Sequence, residues 1–144
     1  MKRQSGFTLI ELIAVIVVLG ILAAVAVPKY LSVESEARAA ILKNTKASLQ
    51  SASTMVFAMA KAQGVSDGQG NVKVDGVGNV AVQNYYPTTS SIEKVMNYDK
   101  NDFKFQGGKF ILKSAPSQGK NCYVRYRNAQ KNQAPRIDVV DSKC

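Results

Sequence analysis

Glu11 is the one carboxylate in a run of about twenty-one residues, Phe7 to Val27, in which only Thr8, Glu11 and Gly20 are not strongly apolar. A helix rises ~1.5 Å per residue, so the run spans ~30 Å, the thickness of a bilayer hydrocarbon core. A charge at that depth costs roughly 2.5–3.5 kcal/mol on insertion scales, which makes Glu11 a functional candidate. The chemistry open to it is ion pairing. Such a pair is worth roughly 4 kcal/mol at an effective dielectric near ~20. Removing one partner strands a buried charge. The alternative for Glu11 is snorkelling to the interface near the helix start.

Other chemistries find little support. General acid–base work at neutral pH favours histidine, and the chain has none. No Gly-x-Ser-x-Gly elbow and no HExxH helix occurs, so we expect no enzyme and no cofactor. Gly76-x-Gly78-x-x-Ala81 fits a dinucleotide-binding string, but no βαβ pattern surrounds it. Asp67, Asn71 and Asp75 are oxygen donors without the spacing or final Glu of an EF-hand, so no metal is expected. The two cysteines, Cys122 and Cys144, lie late in the chain. Behind a segment that delivers them outward they read as one disulfide. A metal pair is the weaker reading, since no third or fourth soft ligand exists. The net charge is +9. Lys120, Arg125, Arg127, Lys131 and Arg136 cluster late and interleave with Tyr123 and Tyr126. That pattern suits DNA or an anionic surface, or simply a solvated strand face that keeps the protein soluble.

Gly6-Phe7-Thr8-Leu9-Ile10-Glu11, with basic Lys2 and Arg3 before it and a long apolar helix after it, resembles the start of a type IV pilin precursor (prepilin) or a related pseudopilin. The resemblance is strong from Phe7 to about Ala40 and weak beyond. It implies a leader, residues 1–6, removed after Gly6 by a prepilin peptidase on the cytoplasmic side. It also implies N-methylation of Phe7 and a role for Glu11 in assembly: the cut would leave Phe7 with a positive amine close to the membrane face, and a carboxylate four residues on meets that amine more easily in a staggered neighbour than at its own helix end. An ordinary secretory signal fits less well, because the apolar run is long for an h-region and continues into a second amphipathic segment. A plain single-pass anchor leaves Glu11 unexplained. Lys2 and Arg3 on the short side place that side in the cytoplasm.

Stepping along the chain, Pro28 removes one helical hydrogen bond and should bend the helix. Apolar residues from Leu31 to Ala60 then recur at spacings of three and four. The spacing predicts one helix from Phe7 to about Ala62: an apolar half over 7–27 and an amphipathic half over 28–63. The second half would pack by an Ile41–Leu49–Val56 face, and Gly64 would end it. Gly20 and Pro28 mark a weak section. By family resemblance that section loses helix when subunits pack; alternatively, Gly20 only permits close helix approach. The head, 64–144, divides into a loop region, 64–100, and an antiparallel sheet, 101–144. Gly64 to Asn79 reads as a loop or loose hairpin, and Ser90 with Glu93 as a capping box for a short helix through about Met96. Phe103–Phe105 and Phe110–Leu112 read as a hairpin, with further strands at 121–127 and 136–140.

The fold class expected is therefore α+β, a long N-terminal helix carrying a small antiparallel head, type IV pilin-like. A head closed by Cys122–Cys144 resembles that family, and the Pro28-to-Leu49 segment and Tyr85-Tyr86-Pro87 resemble its mannose-sensitive haemagglutinin type. What the resemblance implies is a structural subunit. It would wait in the inner membrane as a single pass with a cytoplasmic N-terminus, then polymerise through its apolar helix into an extracellular adhesive filament. Its partners would be like subunits, the peptidase, the assembly platform and motor ATPases. The alternatives are a pseudopilin of a type II-like secretion system and, in a different class, a membrane-anchored extracytoplasmic binding module.

Overall fold

The computed structural model describes residues 6–116 and 120–144. The expected leader therefore lies outside the described residues except for Gly6. The chain divides into two compact units at Ser35/Glu36. Helix α1 (Leu9–Ala62) contributes its first part to one and its second part to the other. Pro28 lies inside α1 without ending it.

In the first unit the helix is apolar on every side. Among its large apolar side chains from Phe7 to Val33, even Ile13, the most sheltered, is 48% exposed. A helix that is apolar all round needs lipid or other helices as its solvent, and α1 is long and apolar enough to cross a membrane.

In the second unit α1 buries a narrow stripe, Leu42, Thr45, Leu49, Ser53, Val56 and Ala60. The steps are all three or four residues, as one face of a 3.6-residue helix requires. Of the expected Ile41–Leu49–Val56 face, Leu49 and Val56 are fully buried, while Ile41 is 43% exposed and yields its place to Leu42 in the stripe. Two of its members are polar, and they enter the core by spending their hydroxyls on the helix itself. Thr45 donates to the carbonyl of Ile41 at 2.9 Å and Ser53 to that of Gln50 at 2.9 Å. α1 ends in a Schellman motif. Gly64 takes φ 66°, its N–H donates to the Lys61 carbonyl, and the Val65 N–H reaches back to Ala60.

Two antiparallel sheets cover the stripe. The first joins β1 (Gly70–Val74), β2 (Gly78–Gln83) and β3 (Tyr86–Pro87). The region 64–100, expected as loop with a loop or loose hairpin at its start, thus carries a three-stranded sheet between residues 70 and 87. Its five glycines disguise two short alternations, Val72/Val74 and Val80/Val82, that bury one face against Val56 and Ala60. The second sheet is the meander β4 (Phe103–Gln106), β5 (Lys109–Leu112), β6 (Tyr123–Arg127) and β7 (Arg136–Val140). Its inner face packs Phe110, Leu112, Val124, Tyr126 and Ile137 against Leu42 and Leu49.

The β4–β5 turn is Gly107-Gly108, both at positive φ, 55° and 75°. That is the backbone a two-residue primed turn demands. Helix α2 (Ile92–Val95) is shorter than expected, and the capping box is absent. Ser91, not Ser90, precedes it, and the Ser91 hydroxyl donates to the Ala81 carbonyl in β2. Glu93 instead accepts from the Tyr98 hydroxyl. Tertiary partners outbid the local cap for both side chains.

Cys122 and Cys144 form a disulfide across 22 residues, both buried. A loop of that length contributes roughly 3 kcal/mol by chain entropy. Arg38 of α1 donates to the main-chain oxygen of Cys144 at 2.7 Å, so the last residues are held on two sides.

Candidate functional site

The sequence-marked residues fall in separate units: Gly6, Phe7, Glu11, Gly20 and Pro28 in the first, and Cys122 and Cys144 in the second. At the helix start Gly6, Phe7 and Thr8 are extended and Leu9 begins α1. Glu11 is then the third helical residue. Its Oε2 accepts from the Thr8 N–H at 2.9 Å and from the Thr8 hydroxyl at 2.8 Å. The Glu11 N–H in turn donates to Thr8 Oγ1 at 3.3 Å. This is a reciprocal capping box, with negative charge at the positive end of the helix dipole.

Glu11 thus has an uncharged partner, Thr8, at its own helix end. One residue upstream of the capped N–H lies the nitrogen of Phe7. The signal missed was Thr8-x-x-Glu11 ahead of an apolar run, a capping-box pattern in its own right. At Gly20 an added Cβ would meet no atom of this chain within 4 Å.

In the second unit the late basic cluster keeps its three arginines together and loses Lys131. Arg125, Arg127 and Arg136 converge on one carboxylate, Asp138, at 3.9, 3.1 and 2.9 Å. The hydrogen bond from Arg136, with the charges of Arg127 and Arg125 behind it, holds the Asp138 carboxyl below its usual range despite partial burial. Tyr126 turns to the opposite face, buried, and donates to the Pro87 carbonyl at 2.7 Å. Lys131 lies apart from the sheet, on a cleft of about 740 Å³ that it shares with Phe57, Tyr85 and Tyr86. Lys120 lines a cleft on the arginines' side of the sheet together with Lys104, Lys109 and Lys113, which lie upstream in sequence. Lys109 sits opposite Arg125, which sits opposite Asp138, so all three project from one side of the sheet. Asp67, Asn71 and Asp75 lie on a 3₁₀ turn, on β1 and in the β1–β2 turn respectively. Among the described residues no cluster of three metal-ligating side chains occurs.

A long N-terminal helix followed by antiparallel sheets is the type IV pilin-like α+β arrangement. Comparison with known proteins points the same way. Residues 1–27 match the family described as the prokaryotic N-terminal methylation motif. The chain is 44% identical over 59 residues to the type IV narrow pilus major component PilA5 of Thermus thermophilus, covering 41% of this chain and 51% of that protein. It is 50% identical over 42 residues to the type II secretion system core protein G of Pseudomonas aeruginosa, covering 29% of this chain and 30% of that one. A fimbrial protein of Pseudomonas aeruginosa is 63% identical over 30 residues, 21% of this chain and 20% of its own. The chain thus spans about half the length of the Thermus relative and less of the others. No solved structure matches it. The chain carries the N-terminal methylation motif of prepilins and is homologous to pilins and pseudopilins.

Proposed function

We propose that this protein is the structural subunit of a type IV pilus used for surface attachment, and that it performs no chemistry of its own. The observation that carries the reading is the joining of a capped Glu11 to a helix exposed and apolar on all sides. The precursor waits in the inner membrane as a single pass, its N-terminus cytoplasmic, where lipid covers the apolar helix. A prepilin peptidase cuts after Gly6, and Phe7 becomes an N-methylated cation. The Glu11 carboxylate then has a choice between its own Thr8 and the Phe7 amine of a staggered neighbour. An assembly platform and motor ATPases draw subunits into the filament, where neighbouring helices replace lipid around Phe7–Val27. Gly20, bare of a side chain, lets those helices approach closely, and the section around Pro28 is the easiest to unwind. The Tyr85-Tyr86-Pro87 stretch supports the mannose-sensitive haemagglutinin type.

Mass spectrometry of extracellular material tests this directly: the expected N-terminus is N-methylated Phe7, and retention of Gly6 sinks the proposal. Glu11→Ala should still insert in the membrane and abolish fibres. Intact function in that variant would instead favour an anchored binding module that never polymerises. Similarity to the secretion protein favours a second reading, a pseudopilin with the same processing but a short periplasmic fibre. Sheared cell-surface fibres containing the chain decide against it, as the disulfide-closed C-terminal region also argues.

A further inference from the structure

We propose that Asp75 is a site of spontaneous covalent modification. Its side chain and the Gly76 amide nitrogen close into a succinimide ring, which reopens to leave isoaspartate at the tip of the β1–β2 hairpin. The chain has two Asp-Gly steps, Asp67-Gly68 and Asp75-Gly76. Both offer the same local chemistry, because glycine has no Cβ to shield its nitrogen from the preceding carboxyl. Ring closure needs one movement, rotation of the Asp-Gly peptide until the nitrogen reaches the side-chain carbon. The fold permits that rotation at one step and blocks it at the other. Residues 75–77 are the exposed turn between β1 and β2. The Asp75 carboxylate and the Gly76 N–H make no hydrogen bond or ion pair among the described residues. A Cβ added at Gly76 would meet no atom within 4 Å, so nothing obstructs the turning peptide. The bond across the tip runs from the Val77 N–H to the Val74 carbonyl at 3.1 Å, and an exposed tip of this kind opens at little cost. Behind it Val72, Val74, Val80 and Val82 hold the register in the core.

At the other step Gly68 is buried. A Cβ there would lie 2.8 Å from Tyr85 Cδ2, and the Gly68 carbonyl accepts from the Tyr85 N–H at 2.9 Å. Turning that peptide would drive Gly68 into the tyrosine ring and break the bond. At Asp75 the chemistry runs in two steps. The Gly76 nitrogen attacks Cγ of the protonated Asp75 carboxyl: the N–Cγ bond forms, the Cγ–OH bond breaks, and water leaves with the amide hydrogen. Water then adds at the Asp75 main-chain carbonyl, the bond from that carbon to the Gly76 nitrogen breaks, and the nitrogen regains its hydrogen. The main chain now runs through Cβ and Cγ, one carbon longer, and the carboxylate sits on Cα. The net change is an isomerisation that consumes no reagent. This inference concerns the head alone and stands apart from the filament reading.

The experiment ages the full-length protein, held warm for several weeks in non-ionic detergent, beside a sample unfolded in guanidinium chloride with the disulfide reduced. Trypsin cuts after Lys61, Lys73 and Lys94, so the two steps fall in separate peptides. The probe is transfer of a labelled methyl group by an isoaspartyl methyltransferase, with fragmentation mass spectrometry placing the label on its residue. In the native sample label should accumulate at Asp75 at least about tenfold faster than at Asp67, since a clamped segment must open before it reacts. In the unfolded sample the two should label at comparable rates. D75E, whose longer side chain closes a ring far more slowly, should lose the signal at residue 75, and D67E should leave it intact. The proposal is overturned if Asp75 stays unlabelled in the native sample or if Asp67 keeps pace with it there. It is also overturned if the unfolded sample keeps the native preference, which would assign the difference to flanking sequence and not to the fold.

Discussion

Asp138 and Gly108 are the residues on which most depends for their size. Asp138 is the counter-ion shared by three arginines, and Arg136's hydrogen bond is the main reason its carboxyl stays below the ordinary range. A carboxyl depressed in the folded state stabilises above its unfolded value, near ~3.9, and the benefit fades as pH falls through the folded value. Asp138→Asn should therefore lower the melting temperature at pH 7, and the gap to wild type should close as pH drops below about 4. A gap that persists at low pH would show that packing, not charge, is what the substitution removes. Gly108 faces a different constraint. A Cβ there would lie 2.2 Å from Thr89 Cγ2 and 2.7 Å from the Tyr126 carbonyl, at a φ of 75°. Gly76 has a similar φ of 76° but open space. Gly108→Ala should cost about 2–3 kcal/mol by denaturant titration and Gly76→Ala about 1, since the second carries only the left-handed penalty. At this scale the helix start was half legible. The cation partner of Glu11 was sought because a charge in an apolar run demands one. The Thr8 partner was overlooked because a threonine three residues upstream is polar but uncharged.

Among the elements, α1 shows most clearly how burial assigns a face. Leu42, Leu49 and Val56 are fully buried, and Ile41 projects outward. Leu49→Ala should cost about 2–5 kcal/mol of stability and Ile41→Ala well under 1, measured by urea unfolding. Equal losses would mean that the stripe is misplaced by one residue. The β4–β5 hairpin was readable because Phe-x-Phe, Gly-Gly and Phe-x-Leu carry both its period and its turn chemistry. The β1–β2 hairpin was harder to read, because glycine and asparagine dilute a two-valine alternation. What makes it a strand is a partner: Val56 and Ala60 offer a surface on which four small valines suffice. The short helix α2 failed its expected cap for a related reason. Ser91 is buried beside β2, where a carbonyl of Ala81 is a better acceptor to satisfy than an exposed helix end.

For the whole molecule, the division at Ser35/Glu36 separates two solvents. The head unit holds both hydrophobic clusters and the disulfide. A chain beginning at Glu36 and exported to an oxidising compartment should be soluble without detergent, monomeric by light scattering and disulfide-closed. Aggregation of that fragment would show that the head's core needs the upstream helix. The sequence by itself determined the apolar helix, the class of fold and the cysteine pair. Each of these is written in residues adjacent in the chain or in a composition that leaves one partner available. Only the tertiary structure decided that Leu42 and not Ile41 joins Leu49 and Val56 in the core, that the glycine-rich stretch pairs as a hairpin and is no loop, and which cations share a surface. Lys109 stands beside Arg125 while Lys131 does not, because strand register, not distance along the chain, brings charges together.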